Sequence, residues 1–174
     1  MGKTTDLTGE TLIKSSEGCK LTAYPDSNGI QTYGWGSIYR LDGSRVQSGD
    51  TITAEQAEEL FKKDLSQHDA ELNSLLKPVI DKLTEGQFDA LSSFAYNEGS
   101  GRLQGSTLYR MILADPNDIN IPNQLMLWIH AGKAVLDGLI IRRGKEIALW
   151  KNRPLSEVRQ KWELLDESLK RQGL

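Results

Sequence analysis

One long helix, predicted near the middle of this 174-residue chain, constrains the fold more than any other feature. Thr53 and Gln56 have the spacing of a capping box, which satisfies the unpaired amides at a helix start. Apolar side chains then recur at helical spacing until Pro78. They are Ala57, Leu60, Phe61, Leu65, Leu72, Leu75 and Leu76. We therefore predict one helix over residues 53 to 77 that is able to join two lobes.

The residues before this helix have a different pattern. A helix is predicted over residues 7 to 16, with Gly18 as its terminator because glycine adopts the left-handed conformation common at helix ends. Two extended pieces follow at residues 21 to 24 and 30 to 35, on either side of the turn sequence PDSNG. We predict a small β-rich hairpin lobe over residues 18 to 52.

The residues after the long helix are predicted to be helical. Thr84 and Gln87 repeat the capping-box spacing, and the glycines at positions 99 and 101 end the helix that follows. Further helices are predicted over residues 106 to 114, 122 to 130, 137 to 150 and 155 to 170. The predicted class is α+β and mainly helical, in a single domain. Its helical lobe covers residues 78 to 152, and a helical extension covers residues 153 to 174.

The formal net charge of −3 gives no reason to expect binding to nucleic acid. The charge is uneven, because residues 138 to 174 contain nine Lys or Arg against five Asp or Glu. A basic C-terminal end favours an anionic polymer or a membrane surface. A solvated helical face is the alternative, and the two interpretations stay open.

The chain has a single cysteine, Cys19, and two separated histidines, His68 and His130. These residues form neither an internal disulfide nor a cluster of metal ligands, so we expect no metal and no other cofactor. The first thirty residues contain no continuous apolar segment. We therefore expect no signal peptide, no transmembrane segment and no stable membrane insertion, and a chain that starts in the cytoplasm.

Glu17 lies at an unfavourable place for an acid, in the last predicted turn of the first helix. Its charge faces the negative end of the helix dipole, at a cost of about 0.3–1 kcal/mol when exposed. Asp26, in the PDSNG turn, and Thr32, on the returning strand, can meet it at one cleft. Glycoside hydrolysis needs one carboxyl group that donates a proton and a second that stays ionised. This set of residues suits that chemistry.

Each of these residues also has a structural interpretation. Glu17 alone is compatible with a solvated surface acid. Asp26 follows Pro25 in a common turn-forming sequence, and Thr32 has a high strand propensity. The residues by themselves leave both interpretations open.

The pattern resembles that of the phage-type lysozymes, glycoside hydrolase family 24. These enzymes have a Glu, eight residues, an Asp or Cys, five residues and a Thr, which here are Glu17, Asp26 and Thr32. The stretch EGCKLTAYPDSNGIQTYGWG fits the family almost without gaps. QFDALSSFAYNEGSGRLQGSTL and LWIHAGKAVLDGLIIRRGKEIALW resemble its later segments, so that the resemblance covers residues 7 to 152.

The resemblance implies a lysozyme-like fold and an enzyme, a lysozyme (muramidase). The implied reaction is hydrolysis, with inversion, of the β-1,4 bond between N-acetylmuramic acid and N-acetylglucosamine. Glu17 is then the general acid, Asp26 the second carboxylate and Thr32 the residue that positions water. The implied partner is the glycan strand of bacterial peptidoglycan.

The resemblance also implies roles for four further residues. Ile38, Phe94 and Asn97 fall where family members contact sugars, although core packing is an equal alternative for Phe94. Arg142 falls where a basic residue approaches the catalytic Glu. A cation there favours the charged carboxylate, whereas burial favours the neutral acid.

Three positions depart from the family pattern. Ser37 replaces the usual His after the second glycine of the G-x-G, and Asp64 is the acid expected to pair with such a His. Lys133 follows Gly132 where two glycines are commoner. Cys19 is not at the Asp-or-Cys position and is expected to be a buried small residue.

In biological terms the resemblance implies an endolysin that lyses the host cell for phage release. Lacking an export signal, it would wait in the host cytoplasm and depend on a holin or a similar membrane lesion to reach the periplasm and cell wall. We expect a monomer. Two alternatives stay open: a lytic transglycosylase, which needs only the acid, and an inactive wall-binding or virion structural module.

Overall fold

The computed structural model of the chain describes residues 2–26, 28–132 and 134–157. Its helices are α1 (Leu7–Glu17), α2 (Ala54–Leu76), α3 (Glu85–Glu98), α4 (Ser100–Gln104), α5 (Thr107–Ala114), α6 (Ile121–Met126) and α7 (Asp137–Trp150). Its strands are β1 (Lys20–Pro25), β2 (Gln31–Gly34), β3 (His130–Ala131) and β4 (Ala134–Val135), and short 3-10 turns cover Ile80–Lys82 and Leu155–Glu157. The described part of the chain is mainly helical with small antiparallel sheets, as predicted.

Both predicted capping boxes are present. The Thr53 hydroxyl accepts from the Gln56 amide at 3.2 Å, and the Gln56 side chain accepts from the Thr53 amide at 2.9 Å. Thr84 and Gln87 make the same pair of bonds at the start of α3. These local bonds place the starts of the two helices on which the rest of the structure packs.

The N-terminal hairpin packs against the long helix α2. β1 and β2 are antiparallel, with Tyr24 opposite Thr32 and an irregularity in register between Lys20 and Tyr24. Tyr33 and Val46 from this lobe form a small apolar cluster with Leu60 of α2. One face of α2 therefore carries the hairpin.

The main core surrounds α3, which packs against α1, α2 and α7. Gly86 lies at the crossing of α3 and α7, where a Cβ would stand 2.6 Å from the Leu149 carbonyl oxygen. Only glycine permits this close approach. Buried members of the core include Leu12, Leu72, Leu76, Phe88, Leu91, Phe94, Leu103, Leu108, Ile112, Ile121, Leu125 and Leu149.

The region after α5 differs from its prediction. The helix predicted over residues 122 to 130 ends at Met126, and the chain then forms the hairpin of β3 and β4, with His130 opposite Val135. Gly132, with a φ of +61°, lies between these strands. The first three residues of the helix predicted over residues 155 to 170 form a 3-10 turn instead, and residues 158 to 170 lie outside the described residues.

Candidate active site

Glu17 is the last residue of α1, where the sequence placed it. Gly18 follows with a φ of +69° and donates its amide to the Lys14 carbonyl at 3.1 Å, which closes the last turn. A side chain other than glycine is strained at this φ. The Glu17 side chain keeps 25% of its surface exposed, so the carboxyl group is partly covered and still accessible.

Arg142 holds the Glu17 carboxylate. Its Nη1 donates to Glu17 Oε1 at 2.5 Å, although 125 positions separate the two residues. The guanidinium is buried and comes from α7, which packs beside α1. A cation at the C-terminal end of a helix is favourable, so Arg142 offsets the poor placement of the acid.

Asp26 forms the turn between β1 and β2. Its Oδ1 accepts from the amides of Asn28 and Ile30, each at 2.8 Å. The turn-forming interpretation of Asp26 therefore holds. The same bonds fix the direction of this half-buried carboxylate.

Tyr24 connects the three predicted catalytic positions. It lies opposite Thr32 across the hairpin. Burial raises the pKa of the Tyr24 phenol, and the negative charges of Glu17 and Asp26 raise it further. The charges of both carboxylates thus act on one side chain, that of Tyr24, which is paired with Thr32 in the hairpin. Sequence reasoning missed Tyr24, whose pairing with Thr32 depends on the strand register.

Thr32 is buried on β2, and its hydroxyl donates to the Ile30 carbonyl at 3.0 Å. A hydroxyl that donates its one hydrogen can only accept from a further partner. Thr32 is therefore suited to accept a hydrogen bond from a water molecule.

The residues expected to contact sugars differ in their exposure. Ile38 and Asn97 are half-buried, and the Asn97 Oδ1 accepts from Arg143 Nη2 at 2.9 Å. Phe94 has no exposed surface, so the expectation of direct sugar contact is wrong for this residue. It packs edge to face on Trp128 with ring centroids 5.0 Å apart, and Arg143 lies 4.8 Å from its centroid.

The departures from the family pattern have clear positions. The Ser37 hydroxyl donates to Asp64 Oδ2 at 2.5 Å. A hydrogen bond from an uncharged side chain therefore takes the place of the His–Asp64 pair expected from the family pattern. Burial raises the pKa of Asp64. Cys19 is exposed. The expectation that it is buried was wrong, because Gly18 ends α1 and turns the chain away from the helical core.

Comparison with known proteins decides the class to which this site belongs. The phage lysozyme family model matches residues 14–146, a stretch that contains Glu17, Asp26, Thr32 and Arg142. The chain belongs to the phage lysozyme family. As in the resemblance drawn from its motifs, it is an enzyme of the lysozyme (muramidase) class, and its family acts on peptidoglycan.

Individual relatives agree with this assignment. The endolysin of Salmonella phage P22 is 40% identical over 142 residues, which make up 82% of this chain and 94% of that protein. The endolysin of Bacillus phage B103 is 38% identical over 144 residues, and this chain spans only 52% of its length. The crystal structure of a P22 lysozyme mutant matches 86% of this chain and 99% of its own, with a TM-score of 0.71. The two sequences are 38% identical. The predicted lysozyme-like fold is therefore confirmed.

Proposed function

We propose that this phage lysozyme is an endolysin that hydrolyses the β-1,4 bond between N-acetylmuramic acid and N-acetylglucosamine and lyses the host cell for phage release. The observation that carries this proposal is the contact of the buried Arg142 guanidinium with Glu17 at the end of α1. Asp26 and Thr32 lie on the hairpin that directly follows this helix end. The relatives named endolysins support it.

In the proposed mechanism Glu17 protonates the glycosidic oxygen as the bond to the sugar ring breaks. Asp26, held in its turn, activates the attacking water and stabilises the positive charge that develops on the ring. Thr32 accepts a hydrogen bond from that water and orients it. Attack from the face opposite the leaving group inverts the anomeric centre.

The hold of Arg142 on Glu17 has to be compatible with proton donation. A nearby cation favours the charged carboxylate, whereas removal of water favours the neutral acid. A glycan strand that covers the partly exposed Glu17 displaces water from it. We infer that bound substrate promotes the protonated form that the reaction requires.

The proposal is tested by digesting purified peptidoglycan with the wild-type enzyme and with Glu17→Gln. The variant should fold and lose activity by about 10²-fold or more, because it lacks the proton donor. Mass spectrometry of the released muropeptides should find reducing N-acetylmuramic acid ends with the wild type. NMR of the fresh product should show the inverted anomer.

A matched control lies on the same helix. Glu10 has a side chain that is 24% exposed and pairs with Lys14 at 3.8 Å, so it resembles Glu17 in exposure and pairing. Glu10→Gln should retain activity.

In the digestion by the wild type, anhydro ends on the muropeptides would instead mean a lytic transglycosylase. No release by the wild type would mean an inactive wall-binding or structural module.

We further propose that the enzyme is a monomer, binds no nucleic acid and reaches the wall through a membrane lesion such as that made by a holin. No helix in the described ranges is both long and apolar enough to span a bilayer. Expression inside bacteria should cause lysis only after a holin is co-expressed. Lysis without any permeabilisation would show a route of export belonging to the enzyme itself.

A further inference from the structure

A chain of alternating charges continues behind Arg142 into the helical lobe. The guanidinium of Arg142 contacts Glu17 on one side, and its Nε lies 3.5 Å from Glu146 Oε1 on the other. Glu146 in turn pairs with Arg143 at 2.8 Å. Glu17 and Glu146 therefore share the positive charge of Arg142.

Ser93 of α3 sits at the junction between Arg142 and Glu146. Its hydroxyl donates to Glu146 Oε1 at 2.8 Å and accepts from Arg142 Nε at 3.3 Å. Its backbone carbonyl accepts from Arg142 Nη2 at 2.9 Å. Two groups of one residue thus fix the plane of the guanidinium and direct Nη1 to Glu17.

Glu146 has no exposed surface. Burial raises the pKa of its carboxyl, and the two guanidiniums and the Ser93 hydroxyl oppose that rise. A buried carboxylate with these donors costs much to displace. It therefore forms a rigid support for Arg142.

We propose that Ser93 and Glu146 are positioning residues that set how strongly Arg142 holds the general acid Glu17. Glu146 draws part of the interaction of Arg142 away from Glu17. Ser93, bonded to both, keeps Arg142 Nε and Glu146 Oε1 at 3.5 Å and so limits this second ion pair. This inference rests on the proposed function, since it assigns Glu17 the role of proton donor.

Other groups also face Glu17, and the test leaves them unchanged. Tyr24 of the hairpin lobe is within range of the charges of both Glu17 and Asp26. Tyr96 approaches from α3, where burial raises the pKa of its phenol, the charges of Asp64 and Glu17 raise it further and Arg142 lowers it. Because these groups stay in place, a change in the pH profile is attributable to Arg142.

The two positioning residues should shift the pH dependence of kcat in opposite directions. In Glu146→Gln, Arg142 interacts with Glu17 alone, so the loss of activity at alkaline pH should begin at lower pH, and kcat at neutral pH should fall about tenfold. In Ser93→Ala, Arg142 moves toward Glu146 and away from Glu17, so the alkaline loss should begin at higher pH. KM for solubilised peptidoglycan should change little in either variant.

Ser92 provides a matched control on the same helix. It is buried like Ser93, but its hydroxyl bonds with Thr5 and Asp69 on another face of α3. Ser92→Ala should lose stability, as Ser93→Ala does, and keep the wild-type pH profile. Equal profiles for both serine variants would overturn the proposal.

Folding and function are separated by two further measurements. Circular dichroism establishes that each variant folds, and Ser93→Ala carries the test alone if Glu146→Gln does not. The ¹³C shift of the Glu17 carboxyl, followed against pH, reports the same two opposite displacements without substrate. Displacements seen in an inactive wild-type protein would refute the proposed function and leave only the control of the Arg142–Glu17 contact by Ser93 and Glu146, whereas unchanged titrations would overturn the inference itself.

Discussion

At the scale of single residues, the candidate site depends on a charge placed against the local preference of a helix. Glu17 stands at the negative end of α1, where an acid is disfavoured, and the 2.5 Å contact with Arg142 compensates for that placement. The unfavourable position is therefore supported from outside the helix. This support is consistent with a requirement for a carboxyl group at that point.

Ser37 offers a test of a second single position. Burial raises the pKa of Asp64, so its ionisation costs stability, and the Ser37 hydroxyl offsets only part of that cost. In Ser37→His a protonated imidazole would pair with Asp64 below roughly pH 6.5. We expect the melting temperature of the variant, relative to the wild type, to be higher near pH 5.5 than near pH 8.

Ser37→Asn is the control for this prediction, because it is similar in size to histidine and carries no charge. Both variants introduce a larger side chain into a buried site, so both lose some stability to overpacking. Only the histidine variant should show a difference that depends on pH. A constant offset between Ser37→His and the wild type would count against the pairing.

At the scale of secondary structure, the close crossing of α3 and α7 depends on Gly86. A Cβ there would stand 2.6 Å from the Leu149 carbonyl oxygen. Gly86→Ala should destabilise the protein by about 1–3 kcal/mol through overpacking, more than the gain in helix propensity of up to about 1 kcal/mol. Urea unfolding measures the difference.

Gly101 is the matched control within α4. A Cβ at this helical glycine meets nothing within 4 Å. Gly101→Ala should therefore leave stability unchanged or raise it by a few tenths to about 1 kcal/mol. If Gly86→Ala proves as stable as Gly101→Ala, the crossing of α3 and α7 does not need a glycine.

At the scale of the whole molecule, Lys14 ties the N-terminal helix to the hairpin lobe and the long helix. Its ammonium group pairs with Glu58 of α2 at 2.7 Å and lies 4.6 Å from the Phe61 ring centroid and 5.0 Å from that of Trp35. Its carbonyl also accepts the amide of Gly18. The turn that carries Glu17 is thus anchored to both neighbouring elements.

A buried acid between α1 and α3 should make the stability of the whole fold depend on pH. Burial raises the pKa of Asp89 to about 7, and the nearby charges of Asp6 and Glu85 contribute. The folded state therefore holds a proton that the unfolded chain releases near pH 4. This contribution to stability is complete below about pH 4 and is lost as the pH rises through about 7.

Asp89→Asn should remove this dependence, because an amide cannot ionise and can still accept from the Asp6 amide, which lies 3.0 Å from Asp89 Oδ1. Chemical denaturation of Asp89→Asn at several pH values between about 4 and 8.5 should show a smaller fall in the free energy of unfolding with rising pH than the wild type shows. Asp115→Asn, at an exposed position, is the control. Identical slopes for Asp89→Asn and wild type would contradict the assignment.

The features that the sequence determined are those set by neighbouring residues. Both capping boxes, the end of α1 at Gly18, the turn at Asp26 and the bounds of α7 follow from spacing within one helical turn or one hairpin. Glu17, Asp26 and Thr32 also lie within one short stretch of sequence, so the resemblance to the phage-type lysozymes could be recognised from the sequence. Such signals depend on the backbone period and on local hydrogen bonds, which are much the same in every fold.

Tertiary structure decided the contacts between distant residues, although the family resemblance had already implied that of Arg142 with Glu17. The contact of Arg142 with Glu17 and that of Ser93 with Glu146 join positions 125 and 53 apart. Packing likewise buried Phe94, exposed Cys19 and ended α6 before the hairpin of β3 and β4. These outcomes depend on which helices meet and at what distance. A local pattern carries no such information, because the same side chain is buried or exposed according to what packs against it.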